Sequence, residues 1–275
     1  MRIHHLNCGS VMTIEATYEG PRPAPAVNHC LLVETEAAGL VLVETGLGLG
    51  DVRDPGGTLG SDWAEMAQPA LDEEETAIRQ ITRLGFAPSD VRHIILTHLD
   101  VDHSGGLPDF PDAQVHVLAS ELDAALSQAP SFRYRPAHWA HEPRWVTYDS
   151  DPGEPWYGFT ALQPKGLPQE IRLVPLGGHT AGHSGIAVQS GDRWLLHCGD
   201  AYYYHRELGE PKETHPLLDI VQTSSQVSRD LRLGTQARLR ELVREHGDEV
   251  EVFSAHDPWE FARYTGDGIP TGREA

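Results

Sequence analysis

The chain has 275 residues, 39% of them apolar, which is long enough for one domain with a substantial core. Its 41 Asp and Glu against 21 Lys and Arg give a formal net charge of −20. A surface so acidic repels nucleic acid and anionic membranes, and no Lys/Arg cluster supplies a local exception.

The N-terminus "MRIHHLNCGSVMTIEA" lacks the apolar core of a signal peptide, and no apolar run approaches the roughly 20 residues of a membrane span. The cysteines Cys8, Cys30 and Cys198 are far apart and odd in number, so they read as reduced thiols, with Cys198 a small buried apolar residue. A cytoplasmic protein acting on a small molecule is expected.

The first 45 residues read as β. "SVMTIEA", "HCLLVET" and "GLVLVETG" are extended runs, the last leaving through "TGLGLGD" as a tight Gly-rich turn. Residues 51 to 72, with Trp63 and Met66, read as a long surface excursion. "EEETAIRQITRLG" predicts a helix with Ile78, Ile81 and Leu84 on one face and Gly85 closing it. "VRHIILTH" is a buried-strand run ending at His98, "AQVHVLAS" a further strand, and "SELDAALSQA" a helix capped by Ser120. Residues 131 to 160 are irregular and aromatic-rich, read either as a surface insert burying its own rings or as a lid over a pocket. "EIRLVPLGGHT", "SGIAVQS" and "RWLLHCGDA" are short strands with Gly-rich turns. "SQVSRDLRLGTQARLRELVREHG" predicts an amphipathic helix burying Val227, Leu231, Leu239, Leu242 and Val243, and "EVEVFSAHD" a last strand.

Candidate ligands fall at strand ends. His98 ends one strand, and Asp100, Asp102 and His103 follow it in "THLDVDHSGG". His179 lies in "GGHTAGH", Asp200 in "CGDA" and His256 in "SAHD", each after its own strand. Strand ends are rigid and the loops there are free to carry function. His183 reads as a packing residue rather than a ligand. His29, in "NHC" before a strand, is a weaker candidate, and the remaining histidines read as surface or core polar groups.

These four motifs, in this order, resemble the metallo-β-lactamase superfamily, from "NHCLLVET" to "AHDPWEF". The resemblance implies a four-layer αββα sandwich with the site at one end of two sheets. It implies two divalent metal ions: one held by His98, Asp100 and His179, one by Asp102, His103 and His256, with Asp200 bridging. Asp100 departs from the family's His-x-His-x-Asp-His. A carboxylate oxygen is harder than an imidazole nitrogen, so zinc is expected with iron or manganese as alternatives.

"GDAYYYHREL" places Tyr203 three residues after Asp200, which resembles the N-acyl-homoserine lactonase group. There a tyrosine assists the substrate carbonyl and the counterpart of Asp102 passes a proton to the leaving alkoxide. Tyr202 or Tyr204 is open as the inward ring instead. The expected activity is a quorum-quenching type of lactone or ester hydrolysis by a metal-bridging hydroxide. Alternatives within the fold are a thioesterase of glyoxalase II type and a non-hydrolytic, oxygen-handling iron protein. A homodimer is implied by resemblance alone.

Overall fold

The structure is a computed structural model, and it describes residues 1–15 and 22–265. Two sheets form its centre. The six-stranded sheet runs Arg2–Asn7, His29–Glu34, Leu40–Val43, Val91–Ile95, Gln114–Leu118 and Arg144–Tyr148. Its first three strands pair antiparallel and the rest parallel. The four-stranded sheet runs Ile171–Pro175, Ser184–Ser190, Arg193–His197 and Val250–Phe253, with only the last pair parallel.

Strand alternation sorts the apolar residues into layers. Leu31, Val33, Val41, Val43 and Ile95 face Ile171, Leu173, Ile186, Val188 and Phe253 between the sheets. Leu32, Leu42, Ile94, Val115 and Val117 point the other way, beneath Ile81 and Ala125 of the helices Ala77–Arg83 and Ala119–Gln128. On the far side, Val174, Ala187, Leu196 and Val252 pack under Leu239 and Leu242 of the helix Arg229–His246. Strands covered on both faces read as unbroken apolar runs, as "CLLV" and "VLV" do. The result is the expected αββα sandwich. No helix among the described residues is long and apolar enough to cross a membrane.

Several local expectations are corrected. Residues 51 to 72 are not a surface excursion: helical turns Leu49–Arg53, Pro55–Thr58 and Ser61–Ala67 bury Leu59, Trp63 and Ala67, leaving Met66 exposed. The run 10–16 contributes only Thr13–Ile14, paired with Ala24–Pro25, and Ala16 lies outside the described residues. Ser120 sits inside the first turn of its helix, with Leu118 at the cap position. Leu84 is exposed although Ile81 on the same face is buried.

The helix Arg229–His246 departs most from its expected face. Val227, Leu231 and Val243 are exposed, and the inward side carries Arg232, Thr235 and Gln236 beside Leu239 and Leu242. Buried donors need partners, and the donors of these side chains have them. Arg232 donates to the side-chain oxygens of Gln222 and Gln226, and Gln236 donates to the carbonyl of Ala201.

Residues 131 to 160 hold several separate elements, among them the helical turn Pro136–Trp139. Ser131–Tyr134 makes a turn with reciprocal bonds between its ends, Arg144–Tyr148 is the edge strand of the six-stranded sheet, and Glu154–Trp156 pairs with Phe159–Ala161 in a hairpin. The aromatic rings serve different layers, which is why no single period runs through the stretch.

Candidate metal centre

Every expected ligand lies on a loop that leaves a strand on the same rim. His98 follows Val91–Ile95. Asp100 starts the one-turn helix Val101–Ser104, which presents Asp102 and His103. His179, Asp200 and His256 follow the strands Ile171–Pro175, Arg193–His197 and Val250–Phe253. Gly178 and Gly199 hold positive φ beside two of these ligands, with φ of 135° and 51°, which an L side chain adopts rarely. At Gly178 a Cβ would also meet the Arg232 backbone at 2.3 Å.

The side chains converge into two adjoining groups, His98, His179 and Asp200, and Asp102, His103 and His256. Beside the first, though not within it, Asp100 Oδ2 lies 3.4 Å from His98 Nε2 and 3.1 Å from His179 Nε2. Asp200 Oδ2 lies 3.8 and 3.4 Å from the same two nitrogens. In the second, His103 Nε2 and His256 Nε2 are 3.3 Å apart, and Asp200 Oδ1 is 3.3 and 3.1 Å from them. Asp102 completes it at 3.9 and 3.6 Å. Four ligands placed about 2.0–2.1 Å from one ion stand at tetrahedron edges of about 3.3–3.4 Å. Both groups bracket that spacing, and Asp200 gives one oxygen to each.

The imidazole orientations fit the same picture. His103 donates from Nδ1 to Glu44 at 2.8 Å and His256 from Nδ1 to the carbonyl of Val27 at 2.9 Å, while His98 Nδ1 pairs with the Thr97 hydroxyl at 2.8 Å. A donor role on Nδ1 leaves the Nε2 lone pair facing the centre, which is how outer partners prepare a histidine for a metal. His98 Nε2 and Asp200 Oδ1 are buried without a hydrogen-bond partner, an arrangement costly unless something else satisfies them. The residues present therefore fit a pair of divalent ions.

The electrostatics favour positive charge here. Burial alone would lower the pKa of His103, but the carboxylates of Asp200 and Glu44 outweigh it and hold it well above the usual histidine value. Against the same burial, His256 is raised to about 9 by Asp200 and Asp102. Burial opposes ionisation of Asp200, yet His256, His103 and His179 hold it well below the usual carboxylate value. Asp102 is raised, burial dominating over His103 and His256. A field that retains protons on two imidazoles draws a metal ion to the same point, in competition with those protons.

Of the three tyrosines, Tyr203 is the one facing the centre. Its hydroxyl donates to Asp200 Oδ2 at 2.6 Å and its ring stacks on His256, with centroids 5.4 Å apart. Tyr202 donates instead to Glu260, and Tyr204 packs against Trp259. His183 stands behind the site: Nδ1 donates to the carbonyl of Leu176, and Nε2 accepts the amide of Asp200. His29 bonds His5 at 2.8 Å and contacts none of the ligands through a side-chain hydrogen bond.

Three residues that hold this architecture are not among the candidates read from the sequence. Glu44, at φ 62°, accepts from His103 and from the amide of Thr97. Glu121 accepts the amides of Leu99 and Gly182 and the hydroxyls of Thr180 and Tyr134, clamping the two histidine-bearing loops together. Arg133 donates from Nη1 to both Asp100 oxygens, at 2.9 and 2.6 Å, and that same nitrogen lies 3.1 Å from His179 Nε2. The one signal for Arg133 is the substitution at 100, since an added buried carboxylate calls for a counter-charge. Two surface clefts, of about 250 and 560 Å³, lie elsewhere and are lined by none of the seven expected ligands.

Residues 24–237 match the metallo-beta-lactamase superfamily. The chain is 42% identical over 272 residues to a probable metallo-hydrolase of Mycobacterium tuberculosis, covering 96% of this chain and 84% of that protein. It is 26% identical over 255 residues to the N-acyl homoserine lactonase AttM of Agrobacterium fabrum, covering 90% and 86%. In three dimensions it is similar to a variant of AiiA from B. thuringiensis with N-decanoyl-L-homoserine bound at the active site. That likeness has a TM-score of 0.70, 21% identity and 94% coverage of each chain. With the αββα layers and the rim of ligands, the match over most of its length establishes that the chain belongs to the metallo-β-lactamase superfamily.

Proposed function

We propose that the chain is a metal-dependent hydrolase that opens a lactone or ester of a small molecule. His98, Asp100 and His179 would hold one divalent ion, Asp102, His103 and His256 a second, and Asp200 both. Zinc suits the histidines, and the carboxylate of Asp100 also admits iron or manganese. The observation that carries this reading is Asp200, which directs one carboxylate oxygen toward each group of inward-facing imidazole nitrogens. When bound, such ions supply Lewis acidity that activates water and polarises a carbonyl.

The remaining chemistry belongs to the chain. Tyr203 holds a hydroxyl proton at the edge of the centre, where it can be donated to the oxygen of a substrate carbonyl as negative charge develops. Its pKa is raised well above the usual phenol value, by burial and by Asp200, so it acts as a donor rather than an anion. Asp102, partly exposed and with a raised pKa, is placed to carry a proton to the departing alkoxide. Lactones, including N-acyl homoserine lactones, are the first substrates to try, because relatives along most of the chain bear that activity in their names.

Metal-loaded protein assayed against a panel of lactones and carboxylic esters is expected to hydrolyse at least one of them. Chelation or His179→Ala is expected to remove that activity. A loaded protein inert to the whole panel, or a His179→Ala variant that turns over like wild type, overturns the reading.

A further inference from the structure

A histidine at position 100 would be a neutral ligand, whereas Asp100 brings a full negative charge into a pocket where it is largely buried. That charge does not stand alone. Arg133 Nη1 lies 2.6 Å from Asp100 Oδ2 and 2.9 Å from Oδ1, and the Arg133 Nη2 donates to the carbonyl of Ser225. Arg133 is held there by its neighbours: Ser131 and Tyr134 close a turn around it, and the buried Tyr134 ring is tied through its hydroxyl to Glu121. A guanidinium does not deprotonate in a protein, so this positive charge is permanent.

We propose that Asp100 and Arg133 act as one net-neutral ligand unit, and that Arg133 thereby sets the metal affinity of the position shared by His98, His179 and Asp200. The inference rests on the metal centre proposed above. A carboxylate oxygen has lone pairs enough to serve a metal ion and the guanidinium together. The sum of Asp100 and Arg133 is zero charge, the same as one imidazole. The two side chains therefore make sense only as a pair: the aspartate alone would over-neutralise a dication, and the arginine alone would repel it. The 3.1 Å approach of Arg133 Nη1 to His179 Nε2 puts the guanidinium close enough for that repulsion to be felt.

The test is a cobalt(II) titration of chelator-stripped protein, read by visible absorbance and by bound equivalents from elemental analysis. It is run on wild type, Arg133→Met, Asp100→His and the double variant. Arg133→Met is expected to tighten the weaker of two binding steps, and Asp100→His to weaken it, each by about tenfold or more, the scale on which partners outside the coordination sphere act. The double variant is expected to return near wild type. If Asp100→His fails to fold, Asp100→Asn takes its place, being neutral and of the same size. The proposal is overturned if Arg133→Met weakens binding, as a purely structural latch to Ser225 would. It is also overturned if Asp100→His tightens binding while Arg133 remains. A wild-type protein that takes up no cobalt overturns the metal centre itself, and the proposal with it.

Discussion

The Tyr203 hydroxyl sits 2.6 Å from Asp200 Oδ2, the oxygen turned toward His98 and His179, and its ring is fixed against His256. A donor placed in this way contributes when charge develops on a substrate, not when the substrate merely binds. Tyr203→Phe is therefore expected to lower kcat by about 10²-fold, the usual cost of one lost oxyanion donor, with KM and metal content little changed. A variant whose loss appeared in metal content instead would make Tyr203 a prop for Asp200. At this scale the candidate ligands were legible because each sits in a short motif after a strand, and four motifs in one order constrain one another. Glu44, Glu121 and Arg133 were not legible. Each meets its partners across 13 to 92 residues of sequence, through contacts that only the folded chain creates. Asp100 departs from the family motif in plain sight, whereas the guanidinium that pairs with it stands 33 residues further along the chain.

Elements follow from the sequence where burial is apolar and go astray where it is polar. The strands were found because their apolar runs are continuous. In the helix Arg229–His246 the apolar stripe predicted an inward face including Leu231 and Val243, yet the glutamines of the neighbouring helix Pro216–Ser225 and its end make Arg232 and Gln236 tolerable inside. The C-terminal helix Pro258–Thr265 shows the same logic and allows a pH test. Glu260 is fully enclosed, accepting from the Ser254 amide at 2.7 Å and the Tyr202 hydroxyl at 2.9 Å. Burial first, then Asp257, push its pKa up to about 8, from an ordinary value of 4.5. The folded state thus holds a proton that the unfolded state releases. The stabilisation tied to that proton is complete below about 4.5 and is lost as pH rises through about 8. Glu260→Gln removes this dependence. Thermal melts from pH 5 to 9 should show wild type losing stability relative to the variant up to pH 8 and little further change beyond. A difference between the two proteins that is flat across this range would mean Glu260 is ionised in the fold.

Across the whole molecule, the proposed ions do more than chemistry. His98, Asp100, Asp102 and His103 follow strands of the six-stranded sheet, whereas His179, Asp200 and His256 follow the four-stranded one. Each group draws on both sheets, so an ion in either would fasten the open rim of the sandwich. The packing of one sheet on the other was implied by resemblance alone, since apolar runs tell which residues are buried and not which layer they meet. The proposed ions add a second consequence. Binding to the folded state alone stabilises by about 2.7 kcal/mol at a metal concentration one hundred times Kd. Chelated protein is therefore expected to melt at a lower temperature than loaded protein and to regain the difference as metal is returned. Amide exchange on chelation should accelerate at residues 97–106, 177–183 and 199–203, on both sheets together, while the interior strands stay protected. Acceleration confined to the loops of one sheet would mean that the ions do not join the two.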